Sequence, residues 1–305
     1  MLLVEPLRIK RFVERNEGRV ARMAVRSLAL RAYLHEGVRR VVRPVVPKRV
    51  PVRWAFLVGC YNSGTTVFKD LISAHPEIRT LPVEGARLTS VLPMPEDFGW
   101  NRMWTRCEER MTPQTGPEGA ERIIRDWSPW WGRGGTVFLE KSIANGARIP
   151  WLAANFDDAY FIGLTRDGYC VSEGIRRRAR PRGAAEKAGP RYPLSACAGQ
   201  WVAANEKLME ASKKTARFKL ISYERLVESP AEVLTEVWRF LGLDPAPVLE
   251  KDGAVEVRGR RFPLRDMNPE SLSRLSPKDV EELTQILAPM QTRLGYERLP
   301  PCATG

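Results

Sequence analysis

The clearest candidate for binding chemistry is a glycine-bounded turn between an apolar run and a helix-like run. It has the sequence GCYNSGTT over residues 59–66 and follows the apolar run Trp54–Val58. Backbone N–H groups of such a turn, with the N-terminus of the following helix, can hold a phosphate group. Gly59 and Gly64 have the spacing of a nucleotide-binding P-loop, but Thr65 stands where that loop has its lysine. The turn by itself therefore indicates either a phosphate-binding loop or a structural turn without a ligand, and it argues against ATP or GTP hydrolysis.

The elements around this turn alternate between short strands and helices. Apolar runs predict strands over residues 54–58, 136–139, 159–164 and 218–222, with a shorter one over 78–81. Helices are predicted over residues 65–74, through the 170s and near 231–241. This alternation predicts an α/β protein, with a central parallel sheet flanked by helices. The stretches 93–135 and 244–275, rich in Pro, Gly and Arg, are predicted to be long loops or insertions.

Four motifs, in order, resemble those of the PAPS-dependent sulfotransferases, where PAPS is 3′-phosphoadenosine-5′-phosphosulfate. The turn GCYNSGTT, continued by KDLISAHP over residues 69–76, is similar to the 5′-phosphosulfate loop of that family. Residues 140–142, EKS, resemble an EKSP-like segment, and residues 161–167, FIGLTRD, resemble the start of the 3′-phosphate site. Residues 222–227, SYERLV, are similar to the YEDL segment.

The resemblance implies a P-loop nucleotide-kinase-like sulfotransferase fold, PAPS as the co-substrate, and no metal. Arg166 would hold the 3′-phosphate through its planar guanidinium, and Tyr223 would contact the adenine. The cofactor-binding residues implied in this way are Asn62, Ser63, Gly64, Thr65, Thr66, Arg166, Ser172 and Tyr223. A basic cluster at Arg258, Arg260 and Arg261 either closes over the 3′-phosphate or is an ordinary solvated run.

Three positions depart from the family pattern. Asn62 stands where the family usually has Arg or Lys, and Gly168 replaces a proline that often follows the Arg-Asp pair. Gly174 occupies the position of the serine that usually binds the 3′-phosphate, and Ser172 is the nearby hydroxyl. These departures leave open an inactive relative of the family.

The catalytic candidates are Lys141 and Glu84. Sulfuryl transfer needs a cation near the leaving oxygen and a base for the acceptor hydroxyl. The family places a lysine at the position of Lys141, with Lys69 near enough to share the task. Glu84, followed by Arg87, resembles the glutamate base and nearby arginine of the protein-tyrosine type. The alternative for each of these residues is a solvated position on the surface.

Histidine chemistry is poorly supported, because the sequence has only two histidines. His75 precedes a proline at the end of the loop helix and is interpreted as a capping or packing residue. The chain therefore resembles the carbohydrate and tyrosylprotein branch more than the cytosolic branch with a histidine base. Glu96 and Asp97 are weaker candidates for the base.

The net charge of +13 is concentrated at the N-terminus, where residues 1–50 hold thirteen Lys or Arg against four Glu. An apolar helical stripe there has an arginine stripe beside it. The apolar stripe comprises Ile9, Phe12, Val13, Val20, Met23, Leu30 and Leu34, and the other comprises Arg8, Arg11, Arg15, Arg19, Arg22 and Arg26. Such an arm either lies on an anionic membrane or packs on its own domain. We predict a basic helical arm over residues 1–50 and a sulfotransferase domain over residues 51–300.

The predicted reaction is sulfation of a hydroxyl on a carbohydrate, a glycolipid or another small acceptor. Five of the nine tryptophans lie in the insertion 93–135, where they suit either an acceptor site or a core. The alternatives are a P-loop-like kinase, which Thr65 disfavours, and a nucleic-acid binder, for which no recognised module is present. The dispersed cysteines predict reduced thiols and a cytoplasmic protein. If the arm lies on a membrane and does not pack on its own domain, it would associate the protein with the cytoplasmic face.

Overall fold

The centre of the molecule is a parallel sheet of five strands in the order β2-β3-β1-β4-β5. The computed structural model describes residues 25–183, 186, 189–251 and 254–297. The strands are β1 (Arg53–Gly59), β2 (Ile78–Thr80), β3 (Val137–Glu140), β4 (Ala159–Thr165) and β5 (Phe218–Ser222). They confirm the predicted apolar runs and the predicted α/β class.

Helices cover the sheet. The described part of α1 is residues 25–33. The others are α2 (Glu36–Val42), α3 (Thr65–Ile72), α4 (Pro117–Trp127), α5 (Ile149–Asn155), α6 (Gly168–Arg178), α7 (Leu194–Lys214), α8 (Tyr223–Glu228), α9 (Pro230–Phe240), α10 (Asn268–Leu272) and α11 (Pro277–Leu294). Short 3₁₀ helices occupy Gly85–Leu88, Pro95–Phe98, Trp104–Arg110 and Ile143–Arg148.

Strand β1 shows why the sheet is buried on both faces. Trp54, Phe56 and Val58 join one apolar cluster, whereas Ala55 and Leu57 join another. Successive side chains of a strand point to opposite faces, so alternate residues of β1 belong to two different cores. A continuous apolar run is therefore what a central parallel strand requires.

The two stretches predicted as loops or insertions differ in their structure. Within 93–135, Trp104, Trp127, Trp130 and Trp131 are buried, so core packing, rather than an acceptor site, accounts for them. The stretch 244–275, predicted to be a long loop or an insertion, contains strands that were not predicted from the sequence. It contains an antiparallel sheet of β6 (Val248–Lys251), β7 (Ala254–Val257) and β8 (Arg260–Pro263), because four-residue strands pair locally despite their charged residues.

The N-terminal segment joins the domain before residue 50. Tyr33 is buried, and its hydroxyl donates to the Asp126 carbonyl at 2.7 Å. Arg43 bridges to the buried Asp126 carboxylate at 2.7 Å. A boundary at residue 50 therefore does not separate independent units, because the preceding residues complete the core. Most of the predicted arm stripes lie in residues 1–24, outside the described residues. No helix of the described ranges has the length and apolarity to cross a membrane.

Candidate active site

A cavity of about 970 Å³ lies where several strands of the sheet end. The turn at residues 59–64 follows β1, Lys141 follows β3, Arg166 follows β4, and Tyr223 follows β5. The carboxyl ends of parallel strands lie along one edge of a sheet, which is where open α/β sheets bind ligands. Lys141, Arg166 and Tyr223 line this cavity together with much of the turn.

The turn after β1 has the backbone of an anion-binding loop. Gly64 caps the N-terminus of α3 with a φ of 94°. A Cβ added to Gly64 would lie 2.8 Å from the Cδ2 of Tyr223, so only glycine fits there. Thr65 and Thr66 begin α3 and line the cavity. The first N–H groups of a helix have no partner within it, so the positive end of α3 is available to an anion.

Arg166 is held in place by three contacts around the turn. Its Nη1 donates to the Asn62 carbonyl at 2.9 Å, and its Nε donates to Asn268 Oδ1 at 2.8 Å. Its guanidinium carbon lies 4.2 Å from the centre of the Tyr223 ring. The Nη2 of Arg166 is buried without a partner among the described residues. One donor edge of this arginine is therefore left for a ligand.

Asn62 lies in left-handed backbone, with a φ of 65°. Its Oδ1 accepts from Arg102 Nη1 and from Arg178 Nη1, each at 3.4 Å. A Cβ added to Gly174 would lie 3.0 Å from the Asn62 Cβ, so the absence of a larger residue at 174 makes room for Asn62. Two arginines from other elements thus bring positive charge to the position where the family usually has a cation.

Glu84 and Lys141, 57 residues apart in the chain, form an ion pair inside the cavity. Lys141 Nζ donates to Glu84 Oε1 at 2.6 Å, and both side chains are largely buried. Glu84 lies at the start of the 3₁₀ helix Gly85–Leu88, and Lys141 follows β3. The fold therefore brings the predicted base and the predicted cation together.

The backbone beside Glu84 is held by hydrogen bonds from two different elements. The Gly85 N–H donates to the buried Glu140 carboxylate at 2.8 Å, and the Gly85 carbonyl accepts from Trp127 Nε1 at 2.9 Å. Asn145 also donates to Glu140, at 2.6 Å, as does the Ser142 hydroxyl. Burial raises the pKa of Glu140 to about 7, against hydrogen bonds from Ser142 and Gly85 that lower it. Glu140 thus holds the turn that presents Glu84.

Ser172, implied to be a cofactor ligand, is not brought to the cavity, and neither is His75, which is interpreted from the sequence as a capping or packing residue. Ser172 is buried, and its hydroxyl donates to the Gly168 carbonyl at 2.7 Å, so it is used within its own helix. His75 contacts the Asp244 carbonyl and the Glu77 N–H through its two ring nitrogens, and its neighbour in the core is Trp238. The histidine is thus engaged in packing and backbone contacts.

The remaining residues named from the sequence lie on the wall of the cavity or outside it. Asp97 caps a short 3₁₀ helix by accepting from the Met94 N–H, whereas Glu96 lines the cavity and accepts from Asn101. Arg87 and Lys69 also line the cavity. The basic cluster of Arg258, Arg260 and Arg261 is not among the lining residues, which include Arg265 instead.

Two cavity residues were missed from the sequence. Arg178 lies four residues after Gly174, so the helical period itself places both on one face of α6, a signal that was available. Arg102 lies in the insertion, with a φ of 60°, and no spacing in the sequence connects it to Asn62. Only the tertiary fold identifies it.

The fold and the cavity define a nucleotide-binding α/β protein with a phosphate loop that lacks the P-loop lysine. Residues 55–247 match the profile described as the Sulfotransferase family, and the chain belongs to that family. Its members are enzymes that use PAPS as the sulfuryl donor. Among the residues that the structure describes, no group of three or more His, Cys, Asp or Glu could hold a metal ion.

Relatives with curated names are sulfotransferases. Protein-tyrosine sulfotransferase 1 of Danio rerio is 26% identical over 310 residues, covering 90% of this chain and 82% of the relative. Protein-tyrosine sulfotransferase 2 of Gallus gallus is 24% identical over 270 residues, covering 79% of this chain and 69% of the relative. Sulfotransferase STF9 from Mycobacterium avium has a similar structure, with a TM-score of 0.50, 14% identity, and coverage of 92% of this chain and 86% of that one. This last similarity supports the fold alone.

Proposed function

We propose that this sulfotransferase transfers the sulfuryl group of PAPS to an acceptor hydroxyl, with Glu84 as the general base and Lys141 as the cation at the leaving oxygen. The observation that carries the proposal is the Glu84–Lys141 pair, joined at 2.6 Å in the cavity that the phosphate loop also lines. The acceptors we propose are a carbohydrate, a glycolipid or another small molecule with a hydroxyl group.

The residues around the loop fit a nucleotide with two phosphate-bearing ends. Asn62 Nδ2, Ser63 Oγ and Arg166 Nη2 are buried donors without partners among the described residues. A buried donor without an acceptor costs free energy, and phosphate oxygens would supply the missing acceptors. Arg166 and Arg178 would hold the 3′-phosphate, while the loop and the start of α3 would hold the phosphosulfate. Tyr223, whose ring packs against Arg166, would contact the adenine.

PAPS supplies an activated sulfuryl group when it is bound. The acceptor oxygen forms a bond to sulfur as the bond from sulfur to the phosphate oxygen breaks, and 3′-phosphoadenosine-5′-phosphate (PAP) leaves. Glu84 takes the proton of the acceptor hydroxyl. Lys141 and the loop N–H groups offset the negative charge that develops on the leaving oxygen. The chain contributes mainly position and charge, as in phosphoryl transfer.

A tyrosine hydroxyl in a peptide is a second acceptor class. It is favoured by the two relatives, whose names specify protein tyrosine as the acceptor and whose similarity extends over most of the chain. Labelled PAPS offered with sugars, glycolipids and tyrosine peptides would separate these classes by the product that carries the label.

The first test of the proposed function concerns the proposed general base, Glu84. Glu84→Gln keeps the size and hydrogen bonding of the side chain but removes its basic form, so turnover should fall by about 10²–10⁴. PAP affinity, measured by calorimetry, should stay near that of the wild type, because the variant leaves the nucleotide contacts in place. Glu228→Gln, at an exposed position, is the matched control and should change neither quantity. Turnover above about a third of wild type would exclude Glu84 as the base.

PAP should also raise the melting temperature of the wild-type protein through ligand linkage, and ATP should not. Stabilisation by ATP without stabilisation by PAP would contradict the proposed nucleotide.

A further inference from the structure

An exposed apolar face and a second, arginine-lined cavity adjoin the active-site cavity. We propose that the acceptor hydroxyl belongs to an anionic lipid headgroup, whose phosphate enters the second cavity while α1 and α2 lie on the membrane surface. This inference rests on the proposed sulfotransferase function and names the acceptor class of that same site.

The apolar face is concentrated in one segment. Of the ten large apolar side chains exposed in the described chain, eight lie within residues 25–52. They are Val25, Leu28, Leu34, Val38, Val41, Val45, Val50 and Val52. Val41 and Val45 are 72% and 76% exposed. Val38 and Val41 are three residues apart on α2, which places them on one face of that helix, and Leu34 and Val45 flank the helix in the chain. Such a concentration of exposed apolar side chains in one segment indicates a surface that is covered by a partner.

The charge around this face indicates which partner covers it. Residues 25–52 contain seven Lys or Arg against one Glu, and Arg26, Arg31 and Arg40 are exposed. A second copy of the chain would bring the same positive charge, so a dimer through this face would be repulsive. An anionic bilayer surface accepts both the apolar side chains and the arginines.

The second cavity, of about 830 Å³, shares part of its wall with the active-site cavity. Six arginines line it, against Glu96 and Asp97. They are Arg39, Arg87, Arg102, Arg178, Arg180 and Arg182. The pKa of Arg178 is lowered by burial and then by the positive charges of Arg177, Arg102 and Arg166. Arg178 is assigned to the 3′-phosphate of PAPS, and the excess of guanidinium groups beside it suits a second phosphate, which they can bind through paired hydrogen bonds.

Leu34 belongs to both the apolar face and the wall of the second cavity. It is 39% exposed, it belongs to the apolar face, and it lines both cavities. A headgroup at a membrane in contact with α1 and α2 would therefore lie at the entrance of the arginine cavity, beside the cavity that holds Glu84. A headgroup phosphate in the second cavity would leave a headgroup hydroxyl to face the base.

The experiment measures sedimentation of the full chain, saturated with PAP, with vesicles of phosphatidylcholine alone or mixed with phosphatidylglycerol. The protein should bind the mixed vesicles only. Val41→Asp should weaken this binding by at least about tenfold, because the apolar contact between the valine and the membrane is lost. Leu249→Asp, at an apolar position 62% exposed on β6, is the matched control and should bind as the wild type does.

Arg180→Gln tests the cavity and should weaken vesicle binding about fivefold, the effect of removing one cation near an anionic surface. Arg293→Gln, at an exposed position on α11, is its control and should have little effect. Equal losses in the two variants would indicate unspecific attraction and overturn the assignment of the arginine cavity.

Further outcomes separate the alternatives. Absence of vesicle binding, with PAP stabilisation and turnover of a soluble acceptor intact, would overturn the lipid assignment and leave the proposed function standing. Absence of PAP stabilisation would contradict the proposed function itself. If glycerol 3-phosphate bound the protein but the mixed vesicles did not, the ligand would be a free anion. A dimer that Val41→Asp dissociates, without vesicle binding by the wild type, would make the face an interface between copies.

Discussion

At the scale of single residues, two departures from the family pattern contact each other. Asn62 replaces a usual cation and Gly174 replaces a usual serine, and a Cβ added to Gly174 would crowd the Asn62 side chain at 3.0 Å. Arg102 and Arg178 donate to Asn62 and supply the charge that the asparagine lacks. The departures at Asn62 and Gly174 therefore belong to one alternative form of the loop, in which the positive charge comes from arginines on other elements.

The roles of Lys141 and Arg166 can be separated by kinetics. Lys141→Ala should reduce turnover by about 10²–10³ with a small effect on PAP affinity, because the lysine acts on charge that grows in the transition state. Arg166→Ala should weaken PAP binding by about tenfold or more, the effect of losing a charged hydrogen bond to a group that does not react. Steady-state turnover and calorimetric PAP titration measure the two quantities. Loss of PAP affinity alone in both variants would contradict the role of Lys141.

At the scale of elements, the 3₁₀ helix that begins after Glu84 is positioned by its neighbours. A Cβ added to Gly85 would lie 2.7 Å from Trp127 Cζ2 and 2.8 Å from Glu140 Cγ, so the turn packs too closely for any other residue. Trp127 belongs to α4 and Glu140 to β3, which means that the insertion and the sheet together hold the base.

Glu140 should make stability depend on pH in an unusual direction. Its pKa is about 7 in the folded protein, raised from 4.5 by burial, so the folded state binds a proton that the unfolded state releases between these values. This contribution is present below about pH 4.5 and is lost as the pH rises towards 7, by up to about 3 kcal/mol.

Glu140→Gln removes this titration and can still accept from the Gly85 N–H through its amide oxygen. The variant should therefore gain stability relative to wild type between about pH 5 and about pH 8. Urea unfolding at the two pH values measures the difference. A difference between variant and wild type that does not change with pH would show that Glu140 does not titrate in this range.

At the scale of the whole molecule, the segment before residue 50 stabilises the domain through Asp126. This carboxylate is fully buried, and Arg43 is its charged partner, while Thr89 donates to it at 2.8 Å. Arg43→Gln should destabilise the fold by about 3 kcal/mol, because a buried carboxylate loses its counter-charge. Arg40→Gln, with a side chain 75% exposed, should change stability by less than about 0.5 kcal/mol. Equal denaturation midpoints for the two variants would mean that the segment does not stabilise the domain.

The sequence by itself determined the strands, the phosphate loop and the class of enzyme. These are local signals: apolar runs specify buried parallel strands, and a glycine turn before a helix specifies an anion site within a few residues. Glu84, Lys141, Arg166 and Tyr223, like the class of enzyme, were predicted from the resemblance to the sulfotransferase family and not from these local signals alone.

Only the tertiary structure decided which side chains meet. The pair of Glu84 and Lys141, the use of Ser172 inside its own helix, and the arrival of Arg102 beside Asn62 depend on how separate elements pack. The antiparallel sheet of β6, β7 and β8 and the burial of Tyr33 against the domain also depend on how separate elements pack. Contacts between residues far apart in the chain are set by the geometry of the packed core, and a single sequence carries no local pattern from which that geometry follows.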